Sequence, residues 1–171
     1  MCTPTPYTKS VDIEEGVVKS MILYKIMKQA DFDGVDQLLM ANGMAVQPFM
    51  TMMHNATILV IDNKVCGYAT YKMTDDETAE LKALLIDKDV RAKQYGDGLI
   101  KALLNNMEQR GITKVYASSE AAPVSFLEHV GFDPVSLEIS SPEQALEKDA
   151  SFTHVAKLPE FFDTACKSKR K

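Results

Sequence analysis

The run from Glu80 to Gly98, Glu-Leu-Lys-Ala-Leu-Leu-Ile-Asp-Lys-Asp-Val-Arg-Ala-Lys-Gln-Tyr-Gly-Asp-Gly, constrains this chain most. It passes from β-prone residues through a charged loop into a helix start marked by two glycines. A helix N-terminus offers unpaired N–H groups and a partial positive charge, which together suit an anion such as phosphate. Arg91 and Lys93 can add charge-assisted contacts. Gly96 and Gly98 let an anion come close to the backbone. The loop is no G-x-x-x-x-G-K-[ST] motif, and Gly96-Asp97-Gly98 lacks the third glycine of a dinucleotide fingerprint. Taken alone, it reads as either an ordinary helix start or a phosphate cradle.

The elements around it alternate between strand and helix patterns. Ile22, Tyr24 and Ile26 mark a strand, and Asp31 is the expected cap of a helix carrying Phe32, Val35, Leu38 and Leu39 up to Asn42-Gly43. Ala56–Ile61, Val65–Met73 and Thr78–Ile86 read as an antiparallel meander, turning at 62–64 and 74–77. Gly67 inside the second strand marks either a bulge or a close backbone approach. Leu99, Ile100, Leu103, Leu104 and Met107 form the apolar face of a helix ending at Gly111. Ile112–Ser118 is a strand. Glu120–Val130 is a helix with Ser119 as cap and Gly131 as stop. Phe132–Ile139 is a strand, Ser141–Lys148 a short helix and Phe152–Leu158 a last strand. The basic end, Lys167–Lys171, reads as a solvated tail. The fold class is therefore α/β (α+β), a single mixed sheet packed with helices. The expected organisation is an N-terminal arm over 1–20, one domain over 21–158 and a C-terminal tail over 159–171.

Charge and composition exclude several classes. The chain has 171 residues, with 19 Lys and Arg against 24 Asp and Glu, a net charge of −5. A general nucleic-acid binder needs a basic surface to displace counterions, so no nucleic-acid partner is expected. No apolar run approaches the roughly 20 residues that span a bilayer, and the start has no basic-then-apolar leader pattern. A cytoplasmic location with no membrane association is the expectation. Cys2, Cys66 and Cys166 are odd in number and far apart, and His54, His129 and His154 are equally scattered. Neither set has the spacing of a disulfide framework or a metal site, so no metal is expected. Cys66 lacks an identifiable base and reads as a core thiol.

The loop, the element order and the ending of the second long helix at Gly131-Phe132 together resemble the GNAT superfamily, the GCN5-related N-acetyltransferases. In that family the pyrophosphate loop reads [RQ]-x-x-G-x-[GA]. Arg91-Ala92-Lys93-Gln94-Tyr95-Gly96 stands in that place, followed by Asp97-Gly98. The family's first glycine is Gln94 here. The resemblance runs over about Ile22–Leu158 and implies a largely antiparallel central sheet of about six to seven strands with helices on both faces.

The resemblance also implies an enzyme, an acetyl-CoA-dependent N-acetyltransferase in which acetyl-CoA is the cosubstrate. Its acceptor would be a primary amine of a small molecule or peptide, attacking the thioester directly. Backbone groups near Leu84 and Ile86 would pair with the thioester and pantetheine arm. Those of Arg91, Ala92, Lys93, Gln94, Tyr95, Gly96, Asp97 and Gly98 would hold the pyrophosphate. Glu80 stands where histone-type members carry their catalytic glutamate, and partial burial would raise its pKa; beside Lys82 it also reads as a surface carboxylate. Many members place a tyrosine acid before Gly-Phe, in a pattern like F-Y-x-x-x-G-F. The segment Phe126-Leu127-Glu128-His129-Val130-Gly131-Phe132 has Leu127 there, which leaves His129, Tyr95 and Tyr116 as substitutes. Met44–Asn55 is either a short core helix or a pliable wall of the acceptor pocket. Asp75, Asp76 and Glu77 either draw a cationic amine or form a solvated hairpin tip. A homodimer is left open. The alternative to an enzyme is a GNAT-like acyl-CoA-binding module without efficient catalysis.

Overall fold

A computed structural model describes residues 20–45, 55–91, 93–135 and 152–167. Residues 1–19 of the expected N-terminal arm, most of Met44–Asn55, the helix at Ser141–Lys148, the second half of the strand Phe132–Ile139 and Ala92 lie outside the described residues.

Seven strands form one sheet: β1 (Ile22–Ile26), β2 (Ala56–Ile61), β3 (Lys64–Met73), β4 (Thr78–Ile86), β5 (Lys114–Ser118), β6 (Asp133–Pro134) and β7 (Phe152–Lys157). Their order is β1-β2-β3-β4-β5-β7-β6. β1 and β2, β2 and β3, β5 and β7, and β6 and β7 pair antiparallel, whereas β4 and β5 pair parallel. The helices are α1 (Phe32–Ala41), α2 (Tyr95–Gln109), α3 (Val124–Val130) and α4 (Leu158–Lys167). The mixed, largely antiparallel sheet bears out the expected fold class.

Contacts group the chain into two compact units. The first joins residues up to Thr70 with Leu84–Asn106; the second joins Tyr71–Ala83 with residues from Met107 onward.

In the first unit the β2–β3 turn is Asp62-Asn63 alone, with φ of 48° and 66°. Positive φ at both central residues is the two-residue hairpin geometry that matches strand twist. Leu59 pairs with Gly67 and Val60 with Val65, so Cys66 is the extra residue of a bulge. A Cβ on Gly67 would lie 2.9 Å from Leu59 Cβ, 3.0 Å from Ile86 Cδ1 and 3.1 Å from Leu99 Cδ2. Both readings of Gly67 therefore hold: it borders a bulge, and α2 packs tightly over it. The apolar face of α2 expected from sequence, Leu99, Ile100, Leu103, Leu104 and Met107, is fully buried.

Asp31 does not cap α1. A 3₁₀ turn over Gln29–Asp31 runs directly into the helix, with Asp31 at φ −90° and ψ −8°. Its carboxylate reaches backward instead, accepting from the Lys28 amide at 2.8 Å and from Lys25 Nζ at 2.7 Å.

In the second unit α3 begins at Val124 rather than Glu120, with Pro123 at the cap position and no cap from Ser119. The Pro123 ring disfavours helical backbone at Ala122, so the helix starts only after the proline. Gly131 closes α3 at φ 109°, as expected. β7 ends at Lys157, and Leu158 opens α4, where the sequence reading had only a tail. Leu158 and Phe161 are buried, and Phe161 meets Phe132 edge-on at 6.1 Å.

Candidate functional site

The loop that enters α2 lies wholly in the first unit and begins with Asp87. The Asp87 amide donates to Cys66 O at 2.8 Å, and its carbonyl accepts from Val90 N at 3.0 Å. Its buried carboxylate accepts from the Asp89 amide at 3.3 Å and lies 3.6 Å from Lys64 Nζ. These contacts wind Lys88–Val90 into one 3₁₀ turn. The sequence reading missed Asp87. Its signal is an Asp two residues before a second Asp at a strand end, a pattern that caps a turn.

Arg91 does not extend freely toward a ligand. Its Nε donates to Ile86 O at 3.1 Å, tying the loop back to the end of β4. Lys93 and Gln94 are exposed. Gln94 adopts φ +60°, a left-handed conformation that L side chains visit at a cost and that glycine takes freely. A glycine would take this conformation freely, but the residue is Gln. Tyr95 opens α2, and the Gly98 amide donates to Gln94 O at 3.3 Å. Asp97 pairs with Lys101 at 2.8 Å, one turn on, so its carboxylate has a partner beside an anion-binding helix end.

Tyr24 of β1 lies under this helix start. Its hydroxyl sits 3.5 Å from Tyr95 O. Burial first, then Tyr95 and Asp97, pushes its pKa up to about 12, so at neutral pH it is the neutral phenol. No local sequence signal marks Tyr24, because its partners come from a distant element.

On β4 the even-numbered residues from Thr78 to Ile86 are the less buried set, whereas Ala79, Leu81 and Leu85 are buried. In the second unit Thr78, Glu80 and Lys82 therefore share one strand face, and in the first unit Leu84 and Ile86 share one, as period-2 alternation predicts. Leu84 and Ile86 belong to the first unit, and Glu80 and Lys82 to the second. Glu80 pairs with Tyr116 across the parallel ladder, which has three rungs from Thr78 to Glu80. Its side chain is 22% exposed, with Oε1 3.1 Å from Lys82 Nζ.

Leu127, at the position the resemblance gives to a tyrosine acid, is 0% exposed and belongs to the core. His129 is exposed on α3. Tyr116 is 9% exposed, its ring stacked on Phe152 with centroids 5.5 Å apart. Burial pushes the Cys66 thiol up, with Lys64 opposing and Asp87 adding, so this cysteine carries little thiolate and packs as a core residue. Among the described residues no group of three or more His, Cys, Asp or Glu could hold a metal ion, and no helix is long and apolar enough to cross a membrane.

Comparison with known proteins adds the family. No curated protein matches the sequence. Among solved structures, N-acetylglutamate synthase from Neisseria gonorrhoeae, complexed with coenzyme A and L-arginine, is similar with a TM-score of 0.63 and 15% identity, covering 80% of this chain and 33% of that one. The present chain thus spans about a third of that synthase. The ribosomal-protein-S18-alanine N-acetyltransferase from Escherichia coli gives 0.60 and 16%, covering 81% and 94%. A GNAT family N-acetyltransferase from Escherichia coli in complex with CoA gives 0.57 and 16%, covering 86% of each chain. Identities this low show the fold alone. The model of the Acetyltransferase (GNAT) family, however, matches residues 26–132, well over half of the sequence, and the chain belongs to that family.

Proposed function

We propose that the protein is an acetyl-CoA-dependent N-acetyltransferase acting on a primary amine of a small molecule or peptide. The observation that carries this reading is the left-handed Gln94 at the head of α2. It gives a loop that lacks the family's first glycine a turn directly before the N-terminus of α2, which supports reading the loop as a diphosphate cradle. In this reading the amides between Arg91 and Gly98 take the pyrophosphate, with Lys93 adding charge. The pantetheine arm lies along Leu84–Ile86 like an added strand. A carbonyl has two lone pairs, so Ile86 O can hold Arg91 and a pantetheine amide together.

The chemistry asks for one base. Glu80 takes a proton from the acceptor ammonium, and the neutral nitrogen attacks the thioester carbonyl. The C–N bond forms, the C–S bond breaks, and coenzyme A leaves as thiolate. The nitrogen's second proton passes to the thiolate or to solvent. A dedicated acid is not required, because a thiolate is a fair leaving group at neutral pH.

The core position of Leu127, where many relatives carry a tyrosine, favours a second reading: an acyl-CoA-binding module without efficient turnover. Release of coenzyme A thiol from acetyl-CoA in the presence of an amine panel separates the two. The enzyme reading expects release, falling about 10²–10⁴-fold in Glu80→Gln near neutral pH and recovering at high pH, where the amine deprotonates unaided. Binding of acetyl-CoA with no release from any amine supports the module.

A further inference from the structure

Gly67 belongs to neither segment that the reading above gives to acetyl-CoA, yet the two segments meet on it. A Cβ at 67 would lie 3.0 Å from Ile86 Cδ1 and 3.1 Å from Leu99 Cδ2. Ile86 closes β4, and Leu99 stands in the first turns of α2 and is fully buried. The space a side chain would take is therefore filled from two sides, by the end of a strand and the head of a helix. The bulge at Cys66 puts the glycine there. Val65 pairs with Val60 and Gly67 with Leu59, so 65 and 67 face opposite sides of the sheet, where an unbulged strand would set them on one. Val65 accordingly meets α1, its Cγ2 2.7 Å from where a Cβ on Gly34 would be, and Gly67 meets α2. The bulge residue also anchors the strand end, because Cys66 O accepts from the Asp87 amide at 2.8 Å. Tyr24 stands opposite Leu59, so Tyr24, Leu59 and Gly67 form one row across three strands. α2 sets Gly98 over the largest member of that row and Leu99 over the smallest.

We propose that Gly67 is a positioning residue of the acetyl-CoA site: it sets the distance between the strand end that takes the pantetheine arm and the amides that take the diphosphate. This rests on the acetyltransferase reading above. Acetyl-CoA joins its diphosphate to its pantetheine arm covalently, so both are held at once only if Leu84–Ile86 and the head of α2 stand the right distance apart. A methyl group at 67 would lie 2.9 Å from Leu59 Cβ, an atom fixed to its own backbone that cannot turn aside. Ile86 and Leu99 must part instead, and the head of α2 lifts away from the end of β4. Each segment keeps its own shape. What is lost is their simultaneous grip on one ligand.

The test titrates the full chain calorimetrically with acetyl-CoA and with 3′-phospho-ADP, the nucleotide half of coenzyme A, which carries the diphosphate without the pantetheine arm. Gly67→Ala should weaken acetyl-CoA binding by about 10–10²-fold and leave binding of the nucleotide half unchanged. Leu99→Val in the Gly67→Ala background removes the clashing carbon and should restore most of the acetyl-CoA affinity. Leu99→Phe crowds the same point from the helix side and should reproduce the selective loss, so the test stands even if Gly67→Ala does not fold. Leu127→Ala, destabilised in the other unit, should bind both ligands as the wild type does, which separates lost spacing from lost stability. Four results overturn the positioning role while acetyl-CoA binding by the wild type leaves the acetyltransferase reading intact: equal acetyl-CoA binding by Gly67→Ala, a loss shared equally by both ligands, no recovery in the double variant, or no binding of the nucleotide half by the wild type. A wild type that binds neither ligand overturns both.

Discussion

A Cβ on Gly98 of α2 would lie 2.5 Å from Tyr24 Cζ of β1, and nearer still to its hydroxyl oxygen. The phenol fills the space that any other residue at 98 would claim. Real Cβ contacts are never this short, so Gly98→Ala must push α2 off β1 or displace the Tyr24 ring. Both movements act on the helix start proposed to hold the pyrophosphate. Overpacking of this kind costs about 1–3 kcal/mol. Thermal unfolding should show that loss, and calorimetry should show weaker acetyl-CoA binding. Tyr24→Leu in the Gly98→Ala background should restore much of both, since it removes the clashing atoms. Failure of the double variant to recover either property would mean that the two residues are not coupled in this way.

Gln94 offers the opposite experiment. Its left-handed backbone costs an L residue about 1–2 kcal/mol, and Gln94→Gly removes that cost. Glycine also gives the unfolded chain more freedom, which takes back about 0.5–1 kcal/mol. The expected result is a melting temperature equal to or slightly above that of the wild type, with acetyl-CoA bound as tightly or more tightly. A clear fall in melting temperature would show that the Gln94 side chain makes a stabilising contact worth more than the relief of strain.

Leu127 tests whether the missing tyrosine matters. A fully buried leucine cut to alanine typically costs about 2–5 kcal/mol, depending on how far the cavity collapses. Leu127→Ala should therefore lower the melting temperature strongly, with little change in turnover per folded molecule or in acetyl-CoA affinity. A large loss of turnover at unchanged stability would place this residue in the chemistry instead.

Much of the fold was legible because it is written in local patterns. The meander shows in three β-prone runs and the turn residues Asp62-Asn63-Lys64, and α2 shows in the spacing of Leu99 to Met107. The loop from Arg91 to Gly98 was legible as a helix start, and its family pattern named the candidate ligand. What failed depended on competition between neighbours or on distant partners. Ser119 looked like a cap until Pro123 moved the helix start beyond it. Asp31 satisfied the turn before α1 rather than the helix. Leu158, Phe161, Phe162 and Ala165 stand at helical spacing, a signal for α4 that the sequence reading passed over, and Phe161 is buried against Phe132 from another part of the chain. Tyr24 and Gly98 meet only because β1 runs under α2.

The central claim is that the head of α2 holds the diphosphate of an acyl-CoA. Calorimetric titration of acetyl-CoA into the wild type and Gly96→Asp, with NAD and ATP as comparison ligands, tests it most directly. The substitution sets a carboxylate against the phosphate at the first turn of the helix. The account predicts saturable acetyl-CoA binding that is clearly tighter than that of NAD or ATP and about tenfold or more weaker in Gly96→Asp, the loss expected for a like-charge contact at such a site. NAD or ATP binding as tightly as acetyl-CoA, or Gly96→Asp binding acetyl-CoA as well as the wild type does, would contradict it.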